Sequence, residues 1–261
     1  MNILRWGTMT RNYVVAALLA AWVGAPALGA QTVRVAGWGS YEGVTGGEDW
    51  SSAGAQFTLA TARGHAGWVA AEHTGRFGET DLTTRAGGLL HPASRWWLTA
   101  EAGTAREPTF MPKNSWEADV TALVTRRASL GLGYRRSNYV VGAVDVVIPH
   151  LTVQTRAVSW DLRVFVSRNP SERTDAAFYL RATTALAENA RLWVLGGAGR
   201  ESYLVGAAPT QDVRSLETVT GAAGLRHSVG SGFTLRLDAT VIRSRPVLSR
   251  RGVSIGIERS F

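Results

Sequence analysis

The stretch that decides the fold lies near the carboxyl end, where FTLRLDATVI (residues 233–242) is followed closely by VSIGIERSF (residues 253–261). In both segments an apolar side chain occupies every second position except at Arg259, with polar or very small residues between. Because successive side chains of a β-strand point to opposite faces, this repeat predicts strands with one apolar and one polar face. The repeat recurs over most of the chain and indicates a barrel that is apolar outside and polar inside.

The beginning of the chain carries a different pattern, typical of a secretion signal. Arg5 and Arg11 precede an apolar stretch over residues 14–23, and the small-residue run APALGA ends at Ala30. This order predicts a signal peptide over residues 1–30 that is removed on export. A transmembrane anchor is the alternative, but the stretch is shorter than the about 20 residues that span a bilayer, and Pro26 interrupts it. We therefore expect a single exported domain over residues 31–261.

Composition narrows the class of protein further. Beyond residue 30 there is no run of about 18 apolar residues, so any crossing of a membrane must use strands. The chain has no cysteine, which excludes disulfides and thiolate metal sites. Its formal charge of +8 comes almost wholly from arginines interleaved singly with Asp and Glu. This scatter predicts no nucleic-acid site, and it favours anionic solutes or lipopolysaccharide phosphates as partners.

Fourteen segments carry the strand pattern, with lengths near the about 9 to 11 residues that cross a bilayer at a tilt. A soluble β-sandwich, the alternative, has strands of about five or six residues. The prediction is an antiparallel up-and-down outer-membrane barrel with both termini periplasmic; a merged or split hairpin would give about 12 or 16 strands. The predicted strands are residues 32–43, 50–62, 65–77, 80–90, 95–105, 115–125, 128–138, 141–148, 152–167, 175–187, 191–203, 215–229, 233–244 and 251–261.

The predicted connections alternate between short turns and longer polar loops, which supports the strand assignment. The short turns, expected at the periplasmic end, are residues 63–64, 91–94, 126–127, 149–150, 188–189 and 230–231. The longer loops, expected at the opposite end, are residues 44–49, 106–114, 168–174, 204–214 and 245–250.

Strand parity separates an outward apolar face, as in Trp116, Val120 and Leu132, from an inward charged face. An arginine facing lipid at mid-bilayer costs about 2 to 4 kcal/mol, so the arginine-bearing faces are assigned to the lumen. Neighbouring strands could then pair Asp119 with Arg135 and Asp161 with Arg181, as a selectivity lining or simply as a salt-bridged wall. The predicted lumen-lining residues are Arg85, Glu101, Glu117, Asp119, Arg135, Asp145, Asp161, Arg163, Arg181, Arg236, Asp238 and Glu258.

Tryptophan and glycine give further signals. Indole rings favour the membrane interface, and a soluble core is the alternative place for them. Glycines inside strands can accommodate curvature or bulky neighbouring rings. The tryptophans near predicted strand ends, expected in interfacial belts, are Trp50, Trp68, Trp96, Trp97, Trp116 and Trp160.

No pattern points to catalysis. His73 is the one histidine well inside a predicted strand, and its neighbours Glu72 and Thr74 belong to the opposite face. His227 and Ser228 are adjacent, but adjacent strand residues point apart and cannot share a hydrogen bond. No metal-ligand spacing, phosphate-binding loop or dinucleotide motif is present. We therefore predict no catalytic, cofactor-binding or metal-binding residues, and no cofactor.

Several short motifs resemble those of the YaiO family of outer-membrane β-barrels. They are RFG (residues 76–78), FMP (residues 110–112) followed by Trp116-Glu117, GLGYR (residues 131–135) and WDLR (residues 160–163). The resemblance covers most of the exported domain and implies an outer-membrane location and a barrel. The terminal Phe261 also resembles the aromatic residue by which many barrels engage the assembly machinery, although Arg259 departs from the usual apolar residue.

Three functions remain open from the sequence. A barrel of 14 strands lies between small barrels filled by side chains and wide porins, so a narrow transport or export channel for polar or anionic solutes or polysaccharide is expected first. The alternative is a non-conducting structural barrel whose outer loops bind a surface partner. The third is a lipid-modifying enzyme of the outer membrane.

Overall fold

The computed structural model describes residues 32–171, 173–207, 212–245 and 248–261, and the predicted signal peptide lies outside them. Fourteen antiparallel strands pair in sequence order, and β1 pairs with β14 to close a barrel. No helix in the described residues is long and apolar enough to cross a membrane. The strands are β1 (Thr32–Val44), β2 (Trp50–Ala60), β3 (Ala66–Arg76), β4 (Glu79–Ala93), β5 (Trp96–Ala105), β6 (Asn114–Thr125), β7 (Ala128–Tyr139), β8 (Gly142–Gln154), β9 (Val158–Arg168), β10 (Thr174–Ala187), β11 (Ala190–Val205), β12 (Asp212–Ser228), β13 (Phe233–Arg245) and β14 (Leu248–Ser260).

The alternating segments at residues 233–242 and 253–261 pair with each other in β13 and β14. Leu235 lies opposite Ile257 and Leu237 opposite Ile255, so the apolar side chains of both strands share one face. Leu237 is 57% exposed and Ile255 65% exposed, which places this face on the outside of the barrel. The prediction of an all-β antiparallel barrel with about fourteen strands is confirmed.

The outer wall repeats this pattern around the barrel. Closure leaves no unpaired edge strand, so the backbone polar groups of the wall bond within the sheet. An apolar surface of this extent is unfavourable in water and suits a hydrocarbon surrounding. Exposed apolar side chains include Leu98, Trp116, Val120, Leu130, Leu132, Leu162, Val166, Phe178, Leu180 and Val219.

The predicted boundary between the eighth and ninth strands was wrong. Pro149 and His150 were expected in a turn, but β8 continues through both of them to Gln154. Proline has no amide hydrogen to donate to a ladder. The register of β8 with β9 accordingly passes from Val147 to His150, while Pro149 keeps its place opposite Leu132 of β7. One missing donor is tolerated because the flanking pairs hold the strands in register.

The two ends of the barrel differ in their connections. We call the end with the connections after odd-numbered strands the loop end, and the opposite end the turn end. The eight-residue connection 106–113 joins strands at the loop end, beside short connections at residues 77–78 and 140–141. At the turn end the connections have two to five residues, as at residues 126–127 and 61–65. The first and last described residues also meet at the turn end, where the Val33 amide donates to the Phe261 carbonyl at 3.4 Å.

Candidate functional site in the barrel lumen

The lumen contains a cavity of about 690 Å³ with a mostly polar lining, which includes the predicted residues Arg85, Glu101, Glu117 and Arg135. The parity of the paired strands places most of the other predicted residues on the same inward face. These are Asp119, Asp161, Arg163, Arg181, Arg236, Asp238 and Glu258.

Asp145 was predicted in the lumen and lies on the outer face instead. Its neighbours Val144 and Val146 line the cavity, so the side chain between them points outward. There the Asp145 carboxylate accepts a hydrogen bond from the Tyr134 hydroxyl at 2.5 Å and pairs with Arg136 at 3.3 Å. The sequence misled because the continuous apolar run at residues 146–148 carries no alternation from which to read the face.

Most lumenal charges are paired, but by other partners than the sequence suggested. Asp119 was expected to pair with Arg135; its carboxylate instead lies 2.8 Å from the ring of His150, and Arg135 approaches Glu117 at 3.9 Å. The cause is the register, because Glu117 lies directly opposite Arg135, whereas Asp119 lies opposite Gly133, the next inward position along the strand. Other inward pairs are Arg85 with Glu72 and Glu101, Arg163 with Asp161, Arg226 with Glu258, Arg236 with Asp238, and Arg250 with Glu42.

The expected pair of Asp161 and Arg181 also does not form. The two residues lie directly opposite in the β9–β10 register, yet Arg163 takes the Asp161 carboxylate at 2.9 Å. The Arg181 guanidinium instead stacks on Trp193, 4.6 Å from the ring centroid. An aromatic face can replace a carboxylate as the partner of a cation.

The positive excess of the sequence is not concentrated in the lumen. Arginines and carboxylates alternate along the inner wall, as the pairs above show. Many of the remaining arginines lie in connections at the turn end or at outward positions of β13 and β14. They include Arg63, Arg95, Arg126, Arg127, Arg156, Arg243, Arg245 and Arg251.

Aromatic rings in the lumen lie over glycines of the neighbouring strand. A Cβ atom built on Gly54 would stand 2.4 Å from the Trp38 ring, and one on Gly224 would stand 2.4 Å from the Trp193 ring. Because no real Cβ contact is that short, only glycine lets these rings lie along the wall. The predicted role of strand glycines in accommodating rings is confirmed. The same arrangement joins Trp68 with Gly87 and Tyr179 with Gly197.

The predicted tryptophan belts are half right. Trp96, Trp116 and Trp160 are exposed on the outer wall. The other three face inward: the Trp68 indole donates to Glu101 at 2.8 Å, Trp97 stacks on His91, and Trp50 is buried. Nearness to a strand end gives the depth of a ring but not its face, since adjacent residues such as Trp96 and Trp97 point apart.

Residues 106–113, which we call the inner loop, fold into the mouth of the lumen at the loop end. The inward-facing Asp81 holds them: its carboxylate accepts hydrogen bonds from the backbone amides of Thr109 (2.8 Å), Phe110 (2.9 Å) and Met111 (2.7 Å) and from the Thr109 hydroxyl (2.9 Å). Hydrogen bonds to a charged group contribute about 1.5 to 3 kcal/mol each. Asp81 thus fixes the inner loop against the wall.

The inner loop completes a cluster of aromatic and arginine side chains. Phe110 is only 3% exposed, and its ring meets Phe77 edge to face at 6.2 Å. Phe77 in turn meets Trp50, and the guanidinium groups of Arg76 and Arg250 each lie 4.4 Å from the Trp50 ring centroid. We call these five residues the mouth cluster. Of its five members, Arg76 is the one that lines the cavity, which extends from there along β3 and β4 toward β5 to β12.

Sequence reasoning missed Asp81 as a functional residue. Its partners are backbone amides that follow it by nearly thirty positions. The residue types at those positions give no sign of these hydrogen bonds, because every non-proline residue has the same backbone N–H donor. The FMP motif (residues 110–112) marks the inner loop in the sequence, but it does not indicate which residue holds that loop.

A second aspartate fixes the loop over residues 45–49 from the outer side. The Asp49 carboxylate accepts hydrogen bonds from the Tyr41 hydroxyl and, at 3.1 Å, from the Val44 amide. These two bonds, led by that from Tyr41, lower the pKa of Asp49 from its ordinary value. Asp49 is fully exposed, so it serves as a surface counterpart of Asp81.

The lumen contains one histidine and aspartate pair that resembles part of a catalytic arrangement. His150 Nε2 lies 2.8 Å from Asp119, whereas the buried Nδ1 has no hydrogen-bond partner among the described residues. A nucleophile would have to contact that nitrogen. His73, the sequence candidate, is exposed on the outer face of β3. In the described part of the chain, no three side chains are grouped to hold a metal ion.

No family model and no curated protein matches the sequence. Solved structures of outer-membrane β-barrels do match the fold. The monoaromatic hydrocarbon channel CymD aligns with a TM-score of 0.62 and 8% identity over 90% of this chain and 89% of its own. A bacterial polysaccharide outer membrane secretin gives 0.55 at 11% identity over 88% and 97% of the two chains. Omp33 of Acinetobacter baumannii gives 0.54 at 10% identity over 90% and 100%. The chain therefore has the fold of outer-membrane β-barrels.

Proposed function

We propose that the chain is an integral outer-membrane β-barrel of the YaiO type whose lumen conducts small polar solutes. The observation that carries this proposal is the polar cavity of about 690 Å³ beside the inner loop. A structural barrel of this width could fill its interior with packed side chains, as small barrels do. Here the Tyr179 ring, which lines the cavity, lies along the wall over Gly197 instead, which leaves the space to water and solute.

The lining favours hydroxyl-rich solutes such as saccharides. Paired arginines and carboxylates offer hydrogen-bond donors and acceptors at short intervals, as in the set formed by Arg85, Glu72 and Glu101. Flat rings such as Trp68 and Tyr179 offer apolar faces between them. A sugar presents both kinds of surface, so this wall suits it better than it suits a purely apolar solute. The proposal assigns the chain no catalytic role and no cofactor.

We propose that the turn end faces the periplasm, with lipopolysaccharide around the loop end. The terminal Phe261 is then at the periplasmic rim, 42% exposed, where assembly factors could bind it. Arg259, which departs from the usual apolar residue, lies 4.5 Å from the Phe261 ring centroid and 5.0 Å from that of Phe233. A cation over two rings preserves their packing at this position.

Planar-bilayer recording and vesicle permeation test the channel. Residues 31–261, refolded into lipid, should give stepwise conductance and should admit glucose to vesicles faster than a heat-denatured sample of the same preparation. Absence of current steps together with exclusion of glucose would contradict conduction.

A second candidate, a non-conducting barrel that binds a partner through its outer loops, is favoured by one observation. The inner loop and Phe110 occupy part of the mouth. If they close it, deletion of residues 107–112 should turn a silent barrel into a conducting one. A wild-type barrel that already conducts excludes this candidate.

A further inference from the structure

Arg76 differs from most arginines of the lumen in its surroundings. It ends β3 on the inward face, and its guanidinium lies between the Trp50 ring, at 4.4 Å, and the Phe110 ring, at 5.9 Å. It also lines the cavity beside Met111 and Pro112 of the inner loop. The mouth cluster therefore presents one edge of a half-buried cation to the space through which a solute would pass.

The carboxylates nearest to Arg76 are engaged by other arginines. Glu42 pairs with Arg250 at 3.0 Å, and Glu72 pairs with Arg85 at 3.3 Å. No carboxylate of the described residues lies within 4.0 Å of the Arg76 guanidinium, and its buried Nε has no hydrogen-bond partner there. Taking a cation out of water without pairing it is unfavourable, so the site would gain from an anion.

We propose that Arg76 binds the carboxylate of a solute as that solute passes the inner loop, a step that rests on the channel function proposed above. A guanidinium held by rings on its faces keeps its edge free for two parallel hydrogen bonds, the geometry that a carboxylate matches. Hydroxyl groups of Ser137 and Tyr139 line the same cavity.

The rest of the lining limits how much negative charge the solute can carry. Glu72, Glu101 and Glu117 also face the cavity, but each is paired with Arg85 or Arg135, and Arg200 is paired with Glu217, so among the described residues Arg76 is the lining cation without an ion pair. The site therefore selects a solute with one carboxylate and otherwise neutral hydroxyl groups, which is the chemistry of a sugar acid. A small molecule with three carboxylates should enter poorly.

Flux of three probes through the refolded barrel tests this selection. Wild type should admit glucuronate faster than glucose, and citrate more slowly than either. In Arg76→Gln the ratio of glucuronate to glucose flux should fall about tenfold, the loss expected when one charge-assisted interaction of about 1.4 kcal/mol is removed. Arg76→Lys keeps the charge without the planar fork and should give an intermediate ratio.

Arg181 provides the matched control. It is also inward, stacked on a tryptophan and without an ion pair among the described residues, but it lies away from the inner loop. Arg181→Gln should change the flux ratio less than twofold. Equal losses in both variants would show that lumenal charge acts in general and would overturn the assignment to Arg76, as would an unchanged ratio in Arg76→Gln.

Thermal unfolding separates failure of the site from failure of the channel. Glucuronate, but not glucose, should raise the unfolding temperature of the wild-type barrel, and Arg76→Gln should abolish that shift. A barrel that binds glucuronate without conducting would disprove the channel and retain the site. A barrel that conducts without discriminating glucuronate from glucose would retain the channel and disprove the site. If Arg76→Gln does not fold, absence of a glucuronate shift in wild type overturns the proposal.

Discussion

The loop end and the turn end of the lumen are held together in different ways. At the loop end, one carboxylate, that of Asp81, binds three backbone amides of the inner loop, and rings pack around Arg76 and Arg250. Toward the turn end, charges pair side chain to side chain, as Arg226 with Glu258, and rings lie on glycines. The cavity lies beside the first arrangement, since loop-end residues such as Arg76, Ser115 and Tyr139 line it.

This contrast indicates where a barrel can change the width of its lumen. Inward side chains of β-strands are fixed by the ladder, so the width of the wall itself varies little. A loop folded inward and held by one residue is a separate unit that can be released without unfolding the strands. The variants below should therefore affect the two ends in different ways.

Asp81→Ala should have the largest effect, because it removes every hydrogen bond by which the carboxylate holds the inner loop. We expect conductance to increase severalfold and trypsin to cleave after Arg106 and Lys113 in the folded barrel. Asp49→Ala is the control, since Asp49 holds a loop from the outer side. An inner loop that stays resistant to trypsin would contradict the role given to Asp81.

Gly224→Val should have the next largest effect, because a side chain there meets Trp193 and Asp238. Overpacking costs about 1 to 3 kcal/mol, and the displaced indole should narrow the lumen. Gly221→Val in the same strand is the control, since a Cβ at Gly221 has nothing within 4 Å. Urea unfolding of both variants in lipid measures the difference, and equal midpoints would refute the steric account.

Arg236→Gln should have the smallest of the three effects. Its partner Asp238 has a side chain only 7% exposed, although Arg236 itself is 62% exposed. Without the cation, the nearly buried Asp238 carboxylate keeps only the hydrogen bond that the Ser254 hydroxyl donates at 3.0 Å. The free energy of unfolding should therefore fall by about 1 to 2 kcal/mol. Arg214→Gln breaks an exposed pair with Asp212 and should cost about 0 to 1 kcal/mol. Equal unfolding free energies would show that burial of Asp238 does not matter.

Strand number, strand order and the outward face followed from alternation in the sequence wherever the alternation is clean. Trp116, Val120 and Leu132 are on the predicted side because each strand allows only two faces and arginine excludes one of them from lipid. Prediction failed where the alternation is hidden, as at Asp145 beside an apolar run, and where a turn residue sits inside a strand, as at Pro149.

Alternation in strands long enough to cross a bilayer predicts a closed cylinder that is apolar outside and charged within, because each strand then has one face that must avoid charge. The sequence does not show which charges meet, which rings lie on glycines, or that Asp81 holds the inner loop in the mouth; these features depend on the fold. Alternation can be read from the sequence because it depends on the types of side chains only a few positions apart. The bonds of Asp81 instead join residues far apart in the chain through backbone amides, which are alike at every position.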